Sequence, residues 1–245
     1  MNDDVFGQEL WNSYNNKLSF QVVERDDGYV QIDQDAHLYF KEYRHWKKTE
    51  KLAIRYAKGE CLDIGCGAGR VLLYLQEKGY NPIGIDTSKL AIRVCKLRGV
   101  KNAIVMDINN INKFKPSSFD SILLFGNNFG LLENCIKAKK LLKIMYRITS
   151  KSGVIIAESR DPYITDNPVH LKYHKINLRK NRMPGQLRLR VRFMQYSTKW
   201  FDYLYVSKKE MKGLLIGTGW KIKRFIDSED FKNNGQYIAI IEKAL

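Results

Sequence analysis

The chain has 245 residues, 44% hydrophobic and 28% charged, with only 5 prolines, a balance that suits one elaborated α/β domain and excludes a collagenous or wholly disordered polymer. Apolar runs such as SILLF at 121–125 fall far short of the ~20 residues a membrane-spanning helix needs. The net charge of +16 is concentrated: residues 1–60 hold 9 Lys and Arg against 11 Asp and Glu, 61–135 hold 9 against 6, and 136–245 hold 24 against 9.

The acidic start MNDD leads into no apolar stretch, so no secretory signal is expected and the default address is the cytoplasm. Two helices are expected before residue 59, one near Phe6–Phe20 and one over Asp35–Lys58, separated by the turn ERDDGYV. From Glu60 short apolar runs alternate with helical ones: strand 60–65, helix 68–79, strand 82–86, helix 88–98, strands 102–107 and 119–125, helix 131–150, strand 153–158. Residues 160–184 read as an irregular basic stretch. Over 186–206 two strands are expected, because Leu187, Leu189, Val191 and Phe193 alternate with Arg188, Arg190 and Arg192. A helix at 207–216, ended by GTG, leads to strands 220–226 and 236–242. The pattern predicts a doubly wound, mostly parallel seven-stranded sheet with an antiparallel last strand, a helical extension over 1–58 and a hairpin inserted at 160–207 after the fifth strand, all in one domain.

Four cysteines, Cys61, Cys66, Cys95 and Cys135, form no CxxC pair, so buried free thiols are expected rather than a zinc ribbon or a disulfide framework. Residues 172–192 carry eight basic side chains and no acid. That run reads as a solvated face, or as a surface attracting nucleic acid, an anionic metabolite or acidic lipid.

Chemistry concentrates at three strand ends. CLDIGCGAGR at 61–70 places Asp63, Gly65, Cys66, Gly67 and Gly69 where a strand gives way to a helix. Glycines there permit the tight turn and let a ligand lie against the backbone. A dinucleotide fingerprint would need its third glycine at position 70, where Arg70 stands, and no GxxxxGK[ST] loop is present. IGIDTS then sets Asp86 and Thr87 at the second strand end, 21 residues after Gly65, where a carboxylate can accept both hydroxyl hydrogens of a ribose. VMDIN sets Asp107 and Ile108 at the third, 21 residues after Asp86, in reach of an exocyclic amine such as that of adenine. Each feature alone is commonly a turn or cap. Their order along the chain makes them informative together.

Over roughly residues 35–160 and the closing strands, these motifs resemble the class I S-adenosylmethionine-dependent methyltransferases. The resemblance implies that Gly65 and Gly67 border the methionine part of the cofactor, that Asp63 organises the loop or the amino group, that Asp86 holds the ribose hydroxyls, and that Asp107 and Ile108 flank adenine. FGNNFG at 125–130 lies where the family has its fourth motif and implies Asn127 and Asn128 near the transferred methyl. It departs from the [DN]PP[YF] form of base amino-methylating members. Tyr14 and Arg44 resemble residues that close over the cofactor. No metal is needed, because the sulfonium donor is already activated and the protein mainly aligns nucleophile, carbon and sulfur.

A proton acceptor would come from the region after the fifth strand: Glu158, Asp161, Tyr163, His170 or His174, with Asp161 and His174 the chosen pair. The acids Glu24, Asp26, Asp27, Asp33 and Asp35 are expected to face the basic hairpin as ion pairs or as a site for a cation. Aromatics at Phe20, Tyr29, Tyr196, Trp200, Phe201, Tyr203 and Tyr205 suit an apolar acceptor, or simply cross-strand packing. The expected activity is methyl transfer to an oxygen or nitrogen of a small molecule or peptide natural product. An RNA methyltransferase is the alternative, favoured by the basic C-terminal half but lacking any recognisable RRM, KH or OB pattern. A non-catalytic cofactor-binding scaffold is disfavoured by three intact cofactor positions.

Overall fold

A computed structural model describes residues 4–33 and 35–244, except for the side chain of Asp35. In chain order its elements are α1 (Val5–Tyr14), β1 (Gln21–Arg25), β2 (Val30–Asp33), α2 (Lys48–Ala53), β3 (Cys61–Ile64), α3 (Arg70–Glu77), β4 (Ile83–Asp86), α4 (Lys89–Leu97), β5 (Ala103–Val105), β6 (Phe119–Leu124), α5 (Cys135–Ile148) and β7 (Thr149–Arg160). There follow α6 (Pro168–Arg179), β8 (Gln186–Phe193), β9 (Tyr196–Ser197), β10 (Phe201–Leu204), α7 (Lys208–Leu215), β11 (Trp220–Asp227), α8 (Phe231–Asn234) and β12 (Gln236–Lys243).

Seven strands form a sheet in the order β5-β4-β3-β6-β7-β12-β11. Neighbours β4 and β5, and β6 and β7, run parallel, while β12 runs antiparallel to both β7 and β11. The expected α/β architecture is therefore present, and its central strands are apolar on both faces, as a sheet covered by helices requires. Ile122, Leu123 and Leu124 of β6 and Ile155, Ile156 and Ala157 of β7 are fully buried. Side-chain caps start the helices: Ser88 accepts from the Ala91 amide at 2.8 Å and Asn134 from Lys137 at 3.0 Å, each satisfying an orphan donor of the first turn.

A second sheet runs β10-β8-β1-β2, with β9 paired to β8. The alternation in β8 does what the sequence implies: Val191 and Phe193 are buried against Val5, with Val23, Tyr196 and Phe201 packed beside them. The arginine face turns the other way, and Arg190 stands directly opposite Glu24 of β1.

The N-terminal extension differs from the expected pair of helices. The first helix stops at Tyr14, and ERDDGYV is the turn of the hairpin β1–β2 rather than a link between helices. The long helix over 35–58 is replaced by 3-10 turns at Asp35–Phe40, Tyr43–His45 and Ile54–Tyr56 around the short α2. Aromatic packing overrides helical spacing here: Tyr43 stacks on Tyr74 at 4.3 Å and the Trp46 indole donates to the Lys41 carbonyl at 3.0 Å. The stretch 160–184 is not irregular either. It holds α6, started by Asn167, whose side chain accepts from Val169 at 2.9 Å, and by Pro168 in the first turn.

The chain divides into two compact units, one of Met1–Trp46, Asp63–Ile108 and Arg188–Phe201, the other of Lys47–Leu62, Asn109–Leu187 and Asp202–Leu245. Among the described residues no helix is long and apolar enough to cross a membrane.

Candidate active site

The glycine loop lies in the first unit. Gly65 and Gly67 take positive φ values of 72° and 53°, where a Cβ costs energy. Gly65 and Cys66 donate their amides to the Ile85 carbonyl at 2.8 and 3.1 Å, which ties the loop to the end of β4. A Cβ on Gly67 would meet Tyr39 Cδ1 at 3.6 Å and Leu10 Cδ1 at 4.0 Å, so α1 and the Asp35–Phe40 turn lie against the loop.

Asp86 closes the arrangement. Its Oδ2 accepts from the Gly67 amide at 3.0 Å and its Oδ1 from Ser88 at 2.9 Å. The Thr87 amide also donates to this carboxylate, leaving it part of its acceptor capacity. Burial raises the proton affinity of Asp86, opposed by the Ser88 and Gly67 amides. Thr87 is exposed beside it. Asp107 follows β5 half-buried and Ile108 is buried behind it, and the Met106 amide donates to the Asp86 carbonyl at 2.9 Å, so the second and third strand ends are brought together.

Asp63 is buried under the loop with 2% of its surface exposed. Burial pushes its carboxyl up to about 7; Arg70 pulls it back and Asp86 pushes it further. The Arg70 guanidinium lies 4.8 Å from the Trp46 ring centre. Burial and the adjacent Cys95 hold the Cys66 thiol above its ordinary value, with Cys95 the larger cause. Cys95 donates its thiol to the Gly67 carbonyl at 3.1 Å. All four cysteines are free; three are buried and Cys135 is half-buried.

Tyr14, the last residue of α1, stacks 6.5 Å from Phe40. Arg44 is turned outward, its side chain 73% exposed and paired with Glu42 at 3.0 Å. A different arginine stands beside the loop: Arg98 donates to the carbonyls of Ala68, Tyr39 (3.4 Å) and Phe40 (3.3 Å), joining the loop to the Asp35–Phe40 turn. Its position one residue past α4 carries no local signal, since Lys and Arg are ordinary at helix C-termini.

Glu24 accepts from Arg190 at 2.8 Å and from Arg192 at 3.1 Å, with Arg190 the main cause of its lowered proton affinity. Arg190 also lies 4.7 Å from the centre of the Trp200 ring. Of the other acids expected to face the hairpin, Asp27 pairs with Arg25 at 2.8 Å and Asp33 accepts from Gln21 at 3.4 Å. The Asp26 amide donates to the Arg188 carbonyl at 3.0 Å. The expectation for the Asp35 carboxylate lies outside the described residues.

In the second unit, Asn127 follows β6 with φ 63°, a left-handed conformation that asparagine tolerates better than most residues. Its backbone carbonyl accepts from the Tyr203 hydroxyl at 2.6 Å, while its buried side-chain oxygen has no partner. Glu158, also buried, accepts from the Gly126 amide at 2.7 Å and fixes the same turn. Asp161 accepts from the Tyr163 amide at 3.0 Å in the turn before α6, and burial raises its proton affinity. Tyr163 donates to Glu210 at 2.9 Å and is itself pushed up to about 12, first by burial and then by Glu210. His174 is half-buried on α6 with its ring 6.0 Å from that of Tyr163. Among the described residues no group of three or more His, Cys, Asp or Glu is arranged to hold a metal.

Residues 62–157 match the methyltransferase-domain family. The whole chain superposes on a Bacteroides fragilis S-adenosylmethionine-dependent methyltransferase crystallised with S-adenosylhomocysteine, with a TM-score of 0.82, 23% identity and 96% of that chain covered. An uncharacterised protein of Methanocaldococcus jannaschii is 25% identical over 84% of each chain. Burkholderia thailandensis 1,6-didemethyltoxoflavin-N1-methyltransferase, solved with 1,6-didemethyltoxoflavin and S-adenosylhomocysteine, shares the fold with a TM-score of 0.53 and 13% identity, over 80% of this chain and 76% of that one. The domain match over 62–157, the strand order and the left-handed glycine loop bound to the second strand end agree: the chain carries a methyltransferase-domain match and has the fold of S-adenosylmethionine-dependent methyltransferases.

Proposed function

We propose that the chain works as one methyltransferase domain that moves a methyl group to an oxygen or nitrogen of a small molecule or peptide natural product. The cofactor supplies a methyl group on a positively charged sulfur, ready for in-line displacement. Asp63, Gly65, Cys66 and Gly67 would hold its methionine end, and the fit is chemical: Asp63 is a buried carboxylate raised by burial in spite of Arg70, an environment that a cationic ligand relieves. Asp86 and Thr87 would hold the ribose through the acceptor capacity the Asp86 carboxylate keeps beyond the Gly67, Ser88 and Thr87 amides. Asp107 and Ile108 would flank adenine, and Tyr14 and Arg44 would close over the cofactor. The buried, unpartnered oxygen of Asn127 would accept a hydrogen from the ligand, since leaving it unmet costs free energy. Asp161 and His174 are the proposed proton acceptors, Asp161 the stronger because burial raises its proton affinity.

The observation that carries the choice of a small acceptor is the pairing of the basic hairpin. Arg190 and Arg192 share Glu24, and Arg190 is stacked on Trp200, so these two strand arginines are held within the small sheet, which supports a small acceptor over phosphate tracking. The toxoflavin-precursor enzyme offers an analogy of fold with a small acceptor. The test is to supply methyl-labelled S-adenosylmethionine with the purified protein to cell extract split into RNA and small-molecule fractions. Label is expected in the small-molecule pool; label in material that ribonuclease releases would overturn the reading in favour of RNA methylation.

A further inference from the structure

The first unit contains a buried acidic group outside the 62–157 match and unused by the cofactor positions. Glu9, on α1, has 2% of its surface exposed. Burial, then the negative charge of Asp33, pushes its carboxyl up to about 8. Asp33 ends β2 and is paired in register with Gln21, which begins β1. The Gln21 amide nitrogen donates to Asp33 Oδ2 at 3.4 Å. That orientation leaves its oxygen as an acceptor, and Gln21 Oε1 is buried without a hydrogen-bond partner although only 5% of the residue is exposed. An enclosed amide oxygen with no donor costs roughly 1–3 kcal/mol, a cost that a ligand donor would remove.

The cluster borders the glycine loop. Tyr39, whose ring approaches Gly67, has its hydroxyl proton held more tightly by burial and then by the charges of Glu9 and Asp33. Leu10, the neighbour of Glu9, packs with Ala68 of the loop.

We infer that Glu9, Asp33 and Gln21 form a recognition site for an ammonium group carried by the methyl acceptor, so that the acceptor class is amines. An alkylammonium presents three donors and no acceptor, and its charge would draw the proton off Glu9, raised to about 8 in the free protein, so that Glu9 accepts alongside Asp33 and the Gln21 oxygen. An anion would be repelled by Asp33, and a neutral hydroxyl brings no charge to offset an ionised Glu9. The site lies on the N-terminal segment, outside the matched residues 62–157. Rings of Trp11, Tyr14 and Phe40 lie on the same segment and favour an aromatic or alkyl body behind the ammonium. The inference rests on the methyltransferase reading, with the cofactor at the glycine loop.

The test uses the full chain with 2-phenylethylammonium chloride as probe, titrated calorimetrically in saturating S-adenosylhomocysteine, with 2-phenylethanol and sodium chloride as controls. The ammonium should bind and the alcohol should bind at least tenfold more weakly. Glu9→Gln and, separately, Gln21→Leu should each weaken ammonium binding tenfold or more while leaving S-adenosylhomocysteine affinity within twofold. Equal binding of the alcohol, no ammonium binding, or variants that bind the ammonium unchanged would overturn the inference. So would a parallel loss of S-adenosylhomocysteine affinity, which would assign the site to the cofactor. A wild-type chain that takes up no S-adenosylhomocysteine would sink the methyltransferase reading itself, a result distinct from all of these.

Discussion

Asp63 is held at a cost in stability, and the cost has a sign that can be measured. Its carboxyl is raised from an ordinary 3.8 to about 7 by burial, so the folded chain prefers it protonated and the unfolded chain releases the proton about three pH units lower. At 1.36 kcal/mol per unit the full penalty is about 4 kcal/mol, present above pH 7, shrinking to about 2 kcal/mol at pH 5 and vanishing below pH 4. Asp63→Asn removes the charge with little change of shape. Urea unfolding of the ligand-free protein should therefore find the variant more stable than wild type, by several kcal/mol at pH 8 and by clearly less at pH 5. S-adenosylhomocysteine affinity should fall in the same variant, the pattern expected where a strained group serves binding. A variant that is less stable at pH 8, or whose advantage does not shrink on acidification, would refute the argument that burial outweighs Arg70 at the Asp63 carboxylate.

Other consequences follow from particular contacts. Gly130→Ala would place a Cβ 2.2 Å from Tyr203 Cε1 and should destabilise by about 1–3 kcal/mol through overpacking; thermal unfolding checks this, and Tyr203→Leu should remove most of the penalty in the double variant. Arg98→Met withdraws donors from the carbonyls of Ala68, Tyr39 and Phe40, so amide exchange should quicken around residues 39–41 and 67–69, whereas strands β6 and β7 should keep their protection. If the hairpin arginines serve Glu24 and not phosphate, Glu24→Gln should lower the melting temperature while the methylation rate of the small-molecule pool stays nearly indifferent to salt between low and moderate ionic strength. A steep salt dependence would point to an anionic partner instead.

The parallel sheet was legible because its strands are short, apolar and punctuated by glycine and aspartate at their ends, and these residues sit at Gly65, Gly67, Asp86 and Asp107 for reasons of backbone and charge that a sequence displays. Strand 102–107 shortens to Ala103–Val105 and helix 131–150 starts only after its Asn134 cap, differences confined to element ends. The helical spacing of Leu38, Glu42, His45, Lys48 and Leu52 over 35–58 gives way to the tertiary packing of Tyr43, Trp46 and Tyr74, which no local pattern displays. α6 has a recognisable start in Asn167 and Pro168, but with only Tyr173 and Asn177 buried among its basic residues it shows no clear apolar period. Gln21 and Glu9 carry no motif: their significance comes from burial and from an unmet oxygen, which only the folded chain displays.

The claim on which the rest depends is that the loop tied to Asp86 binds the cofactor. Calorimetric titration of S-adenosylhomocysteine into wild type and Asp86→Ala measures it directly. One molecule should bind per wild-type chain, and the variant should bind roughly tenfold to a hundredfold more weakly, as the loss of charge-assisted hydrogen bonds worth about 1.5–3 kcal/mol implies. Equal affinity in the two proteins, or no binding by wild type, would contradict the account.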